Sequence, residues 1–330
     1  MSTSAQRHAL RIAGAVALPF LAGEVLGWSM PFLGSIFALQ LVAARQPPPT
    51  LRAALAAVLG IGAAFAAAIV LTAITLPHPV VFTLGAGLAV FGGLYAQARK
   101  GGGFWFILLI AICATPLLAN QSEGLAVSFL WIAVGAMLVA VITAWLVHAA
   151  FPDPAEAPGK DAAPPLPTME PQAAARAALI GTLVLMPLLL LLLGYESAAV
   201  VATVTALSLL KAASSQESTR AALGLLAANV IGGAVAVAAY ALITAAPTLA
   251  MLAAVMLAVA LAFGGRIALG GQAAALASGA CVVAVLLVGM GLSPFTDSAT
   301  AFGTRVVQVL LASAYTVGAF MLLENLLPRR

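Results

Sequence analysis

The sequence predicts an all-α polytopic membrane protein of about twelve transmembrane helices, built as two tandem six-helix repeats in the same orientation. Three observations predict it. Of 330 residues, 63% are hydrophobic and only 7% charged, against about 25% charged in an ordinary soluble domain. Apolar runs near the roughly 18–20 residues that a helix needs to cross a bilayer follow one another along the whole chain. A shift of 168 residues lays Pro19 on Pro187, Arg52 on Arg220, Pro79 on Pro247, Gly102 and Gly103 on Gly270 and Gly271, and Cys113 on Cys281.

The first repeat occupies residues 1–150. Its N-terminal "MSTSAQRHALRIAGAVALPFLAGEVLGW" has the basic start and apolar core of a signal peptide, but an equivalent run returns mid-chain as a span, so it reads as an uncleaved first helix. Apolar segments follow at about 10–28, 31–44, 52–76, 79–98, 104–119 and 124–150. The third opens with "TLRAAL" (Thr50 to Leu55), which nearly recurs as "STRAAL" (Ser218 to Leu223) at the start of its counterpart. "FPDPAEAPGKDAAPPLPTMEPQ" (Phe151 to Gln172) is rich in Pro, Ala and charge and reads as an extended linker. The second repeat, 173–330, gives segments at about 176–194, 198–210, 219–245, 247–264, 271–290 and 299–327.

Charge sets the orientation. Six crossings per repeat, starting from the inside, put thirteen of the fourteen Lys and Arg on the cytoplasmic side, with Arg305 the exception. A re-entrant second segment would move Arg45 and Arg52 outside, against that rule. Both termini are then expected in the cytoplasm of a bacterial inner membrane. Period-two alternation, the mark of an outer-membrane barrel, is missing from the apolar runs.

The residue inventory argues against catalysis. His8, His78 and His148 form no HExxH pair, no phosphate-binding loop surrounds Lys100, Lys160 or Lys211, and no metal, cofactor or nucleic-acid partner is expected. "RKGGGF" (Arg99 to Phe104) lacks a preceding strand and reads as a tight turn. Cys113 and Cys281 read as small apolar packing residues.

Candidate transport residues come from position. The short second segments of the two halves match each other, and paired short spans point to a binding site. Gln40 and Ser208 are repeat partners there, with Ser35, Thr203 and Thr205 nearby, so a polar strip would face a cavity between the halves; interhelical hydrogen bonding is the plainer reading. Arg305, with Gln308 on nearly the same helical face, would hold an anion, or pair with Glu24, Glu196 or Asp297, or reach to the interface. Glu24 and Asp297 are the candidate proton-exchanging acids, although Trp28 marks the interface close to Glu24. Arg52 and Arg220 would form a basic cytoplasmic mouth for anions, or serve as topological anchors.

At "RHALRIAGAVALPFLAGEVLGWSMPFLGSIFALQLVAARQPPPTLRAAL", the basic start, Pro-bearing first helix, short second helix and Arg-opened third helix resemble the fusaric-acid-resistance and aromatic-acid-exporter superfamily, and within it a small bacterial branch of unassigned function. The resemblance implies an inner-membrane, proton-driven efflux permease for amphipathic organic acids. It also implies a periplasmic membrane-fusion adaptor and an outer-membrane channel as partners, besides the substrate anion and membrane lipid. A passive anion channel between the halves and a non-transporting scaffold for an adaptor are the alternatives.

Overall fold

The structure, a computed structural model, describes residues 3–43, 47–101, 103–152, 169–194, 203, 206–207, 210, 218–292 and 298–326. Among these residues there are eleven helices: α1 (Thr3–Val25), α2 (Pro31–Ala43), α3 (Leu51–Thr75), α4 (Pro79–Lys100), α5 (Gly103–Gln121), α6 (Glu123–Ala150), α7 (Pro171–Leu192), α8 (Ser218–Ala245), α9 (Leu249–Ile267), α10 (Gly271–Leu292) and α11 (Ser298–Leu326). All but α2 and α11 contain a stretch long and apolar enough to cross a membrane, nine among the described residues. The chain is a multi-pass membrane protein. The expected segment at 198–210 is described only at Thr203, Ala206, Leu207 and Leu210, which are helical and buried. Most of the 151–172 linker lies outside the described residues.

Helix ends follow local chemistry. Thr50 caps α3 by accepting from the Ala53 amide at 3.3 Å, and Thr248 caps α9 by accepting from the Met251 amide at 3.1 Å. The first helix runs Thr3–Val25 instead of the expected 10–28. At its far end Gly27 takes φ +67°, and the amides of Gly27 and Trp28 donate to the carbonyls of Glu24 and Gly23, a Schellman stop that apolar character alone does not reveal. At its near end Arg7 and Arg11 give polar residues a reason to stay helical: Arg7 Nη1 donates to the Pro152 carbonyl (3.1 Å) and Arg11 Nε to the Phe151 carbonyl (2.7 Å), just beyond α6.

The helices pack into two compact units, each drawing on both halves of the sequence. The first comprises Met1–Val58, Ile132–Pro164 and Ala227–Val306. In it α1 packs on α2 and α9, α9 on α10, and α10 on α2, closing a ring of four helices. Glycine permits the close approaches: a methyl group on Gly264 of α9 would sit 3.0 Å from the Ala9 carbonyl oxygen, and one on Gly289 of α10 only 2.5 Å from Phe32 Cβ. Trp145 Nε1, near the end of α6, donates to the Pro49 carbonyl (2.7 Å) just before α3. With the Arg7 and Arg11 bonds, this places the starts of α1 and α3 and the end of α6 at one end of the unit. Within the unit, the α1–α2 pair therefore leaves that end and returns to it.

The second unit comprises Leu59–Trp131, Pro165–Leu226 and Val307–Arg330. Here α4 packs on both α7 and α5. Arg99 Nη1 donates to the Met169 carbonyl (2.9 Å) and the Met169 amide to the Ala98 carbonyl (3.2 Å), tying the end of α4 to the start of α7. Asn120 Nδ2 donates to the Leu193 carbonyl (2.7 Å), tying the end of α5 to the end of α7.

Each unit also braces a proline in the same way. Pro19 in α1 and Pro187 in α7 lack the amide that would bond four residues back, and one residue further on lies a carbonyl that a neighbouring helix reaches. That carbonyl belongs to Val16 and to Val184. Ser35 Oγ donates to Val16 (2.7 Å) and Tyr315 Oη to Val184 (3.2 Å). In each unit a hydroxyl from a neighbouring helix thus finds a carbonyl beside the proline, as apolar surroundings demand of a buried polar group.

Candidate functional site

The described residues include part of the expected site. Ser35 is fully buried and its hydroxyl donates to the Val16 carbonyl, so its visible role is to join α2 to α1 beside Pro19. Gln40 is exposed, near the end of α2. Glu24 is partly buried in the last turn of α1, four residues before Trp28, and its carbonyl belongs to the helix stop. Arg52 is exposed in the first turn of α3. Arg220 lies in the first turn of α8, and Arg305 and Gln308 lie on α11. Thr203 is buried and helical, whereas Ser208, Thr205, Glu196 and Asp297 lie outside the described residues.

Several other buried or half-buried hydroxyls bond within their own helix. Thr75 donates to the Leu71 carbonyl, Thr182 to Ala178 and Thr316 to Ala312, at 2.7–2.8 Å. These satisfy a polar group in an apolar helix and need no ligand. Cys113 and Cys281 are buried, as small packing residues should be. Among the described residues no group of three His, Cys, Asp or Glu gathers as a metal site would require.

One cavity in the second unit has a different character. It measures about 10 Å³, the room of roughly one water. Leu94, Gln97 and Ala98 of α4, Phe106 and Leu109 of α5, and Ala177, Ala178 and Gly181 of α7 line it, with Leu207, Leu210 and Phe320. The Gln97 Oε1 atom is buried and accepts no hydrogen bond among the described residues. An acceptor left so costs about 1–3 kcal/mol, which a donor N–H or O–H from a water or ligand would offset. The bare wall at Gly181 matters, because a methyl group there would meet Leu94 Cδ1 at 2.7 Å. Gln97 is not among the residues that the sequence singles out. Its only signal is a lone uncharged polar residue in "GLYAQARK", eclipsed by the two cations and the glycines behind it.

Comparison with known proteins adds one match. A family model described as "Protein of unknown function (DUF2955)" fits residues 8–147, less than half of the chain. That family is one of membrane proteins without an assigned function. No curated protein and no solved structure matches.

Proposed function

We propose that this chain is an inner-membrane permease that exports small anionic or amphipathic organic compounds, aromatic-acid-like in character, at the expense of a proton gradient and together with a periplasmic adaptor. The observation that carries the reading is the way the two units are composed. The unit boundary falls between Val58 and Leu59 in α3 and between Leu226 and Ala227 in α8, positions 168 residues apart. In both units the first helix of one half packs on the fourth helix of the other, α1 on α9 and α7 on α4. The family match, at 8–147, starts and stops with the first six helices. These features support a duplicated chain that has exchanged helices between its copies, and internal duplication is common among transporters.

The short second segments support the location. Helix α2 has 13 residues, about 20 Å of helix, and falls short of the roughly 30 Å hydrocarbon core. In this reading Arg305 holds the substrate anion with Gln308, Gln40 and Ser208 near it, Glu24 or Asp297 exchanges the proton, and Arg52 and Arg220 draw anions toward the cytoplasmic mouth. Ser35 contributes by tying α2 to α1 through the Val16 carbonyl.

Accumulation of radiolabelled aromatic and aliphatic acids in inverted membrane vesicles tests the proposal, with and without an uncoupler, for wild type, Arg305→Ala and Glu24→Gln. Uncoupler-sensitive accumulation that both substitutions abolish is the expected result. Accumulation that survives both would refute the residue roles. Flux that ignores the uncoupler would favour a passive channel, and no flux from folded protein supplied with an adaptor would favour a scaffold.

A further inference from the structure

The turn between α4 and α5 carries more chemistry than a turn requires. Gly101 makes it, with φ +64° and its amide donating to the Gln97 carbonyl at 2.9 Å. At the 168-residue offset the chain turns again between α9 and α10, with Gly270 and Gly271 both at φ +77°. The positions matching Lys100, Phe104 and Trp105 there hold Ala268, Gln272 and Ala273. The last turn of α9 also carries an exposed cation, Arg266, so what sets the first copy apart is its two aromatic rings beside the lysine, and these answer a need other than the turn.

Their arrangement indicates which. Lys100 is exposed at the end of α4, and its ammonium stands 5.2 Å from the Trp105 ring centroid. The Phe104 and Trp105 rings meet edge to face with centroids 5.4 Å apart, and Phe104 is 45% exposed. A cation–π contact holds the ammonium at the level of the indole, and indole rings settle at the headgroup level of a bilayer. The sequence has no Asp or Glu between Glu24 and Glu123, so no acid on these two helices neutralises the charge. Arg99 is half-buried and bound to the Met169 carbonyl, with Glu170 next in the chain, which leaves Lys100 as the outward-facing cation.

We propose that the α4–α5 turn is a binding site for an anionic phospholipid, in which Lys100 faces the headgroup phosphate while Trp105 and Phe104 pack against the lipid below it. The matching turn between α9 and α10 has a cation in Arg266 but lacks the aromatic pair. The proposal is independent of the transport reading, because a scaffold or channel would hold the lipid equally well.

Native mass spectrometry of the purified full chain, titrated separately with phosphatidylglycerol and phosphatidylcholine of equal chain length, provides the test. Wild type should bind phosphatidylglycerol more tightly. Lys100→Gln should weaken that binding about fivefold, the factor equivalent to the roughly 1 kcal/mol of one basic residue at an anionic surface, and leave phosphatidylcholine unchanged. Lys100→Arg should retain it, and Trp105→Leu should weaken it with the lysine intact, a second route to the answer if Lys100→Gln elutes as misfolded protein. Equal binding of the two lipids by wild type, or phosphatidylglycerol affinity unchanged in folded Lys100→Gln or Trp105→Leu, would overturn the proposal.

Discussion

Replacing Gly289 with alanine probes how closely α10 approaches α2. The new methyl carbon would lie 2.5 Å from Phe32 Cβ, 2.6 Å from Cδ1 and 2.8 Å from Cγ, where carbon atoms in contact prefer about 3.5–4.0 Å. Rotating the Phe32 ring relieves the last two contacts but not the first, because Cβ is fixed to the backbone. The helices must therefore part by about 1 Å, which places the cost near the upper end of the 1–3 kcal/mol usual for overpacking. Alanine returns up to about 1 kcal/mol of helix preference over glycine. The net loss is about 2 kcal/mol, roughly a thirtyfold shift in the folded-to-unfolded ratio. The control is Gly92→Ala, where a methyl group meets nothing within 4 Å, so stability should hold or rise slightly. Both variants would be compared with wild type by reversible unfolding in mixed detergent micelles. Equal stability of Gly289→Ala and Gly92→Ala would refute the α2–α10 contact and with it the four-helix ring.

Ser35→Ala and Tyr315→Phe each remove an interhelical hydrogen bond beside a proline, so each should cost about 0.6 kcal/mol and at most about 1.7, read from the same unfolding curves. Arg11→Met removes a buried charged donor from the Phe151 carbonyl and should destabilise by about 1.5–3 kcal/mol, with faster protease cleavage after α6 as a second readout. Gln97→Leu replaces an orphaned acceptor in an apolar cavity and should raise stability by about 1–3 kcal/mol. A fall in its unfolding midpoint would mean that a bound water or ligand already serves that oxygen.

The helices were largely legible because hydropathy and membrane thickness both act over windows of about 20 residues. Expected segments such as 31–44, 52–76 and 124–150 correspond to Pro31–Ala43, Leu51–Thr75 and Glu123–Ala150. Ends set by single atoms were harder to read. The stop after Val25 depends on Gly27 adopting a positive φ, and the early start of α1 depends on arginines reaching carbonyls some 140 residues away in sequence. The grouping of helices was hidden for the same reason: that α1 packs on α9 of the other half as well as on its neighbour α2 is a long-range fact that periodicity does not encode. At the candidate site, the sequence singled out Ser35 by its polarity within a short span, but polarity has no direction. The structure turns that hydroxyl to Val16 and finds the orphaned acceptor at Gln97 instead.

The most direct test of the transport account uses purified protein in proteoliposomes with a trapped pH-sensitive dye and no adaptor present. An imposed substrate gradient should drive proton movement in the opposite direction, inhibited by excess competing acid and lost in Arg305→Ala. Substrate equilibration without proton movement, in vesicles shown to be proton-tight, would contradict proton-coupled export.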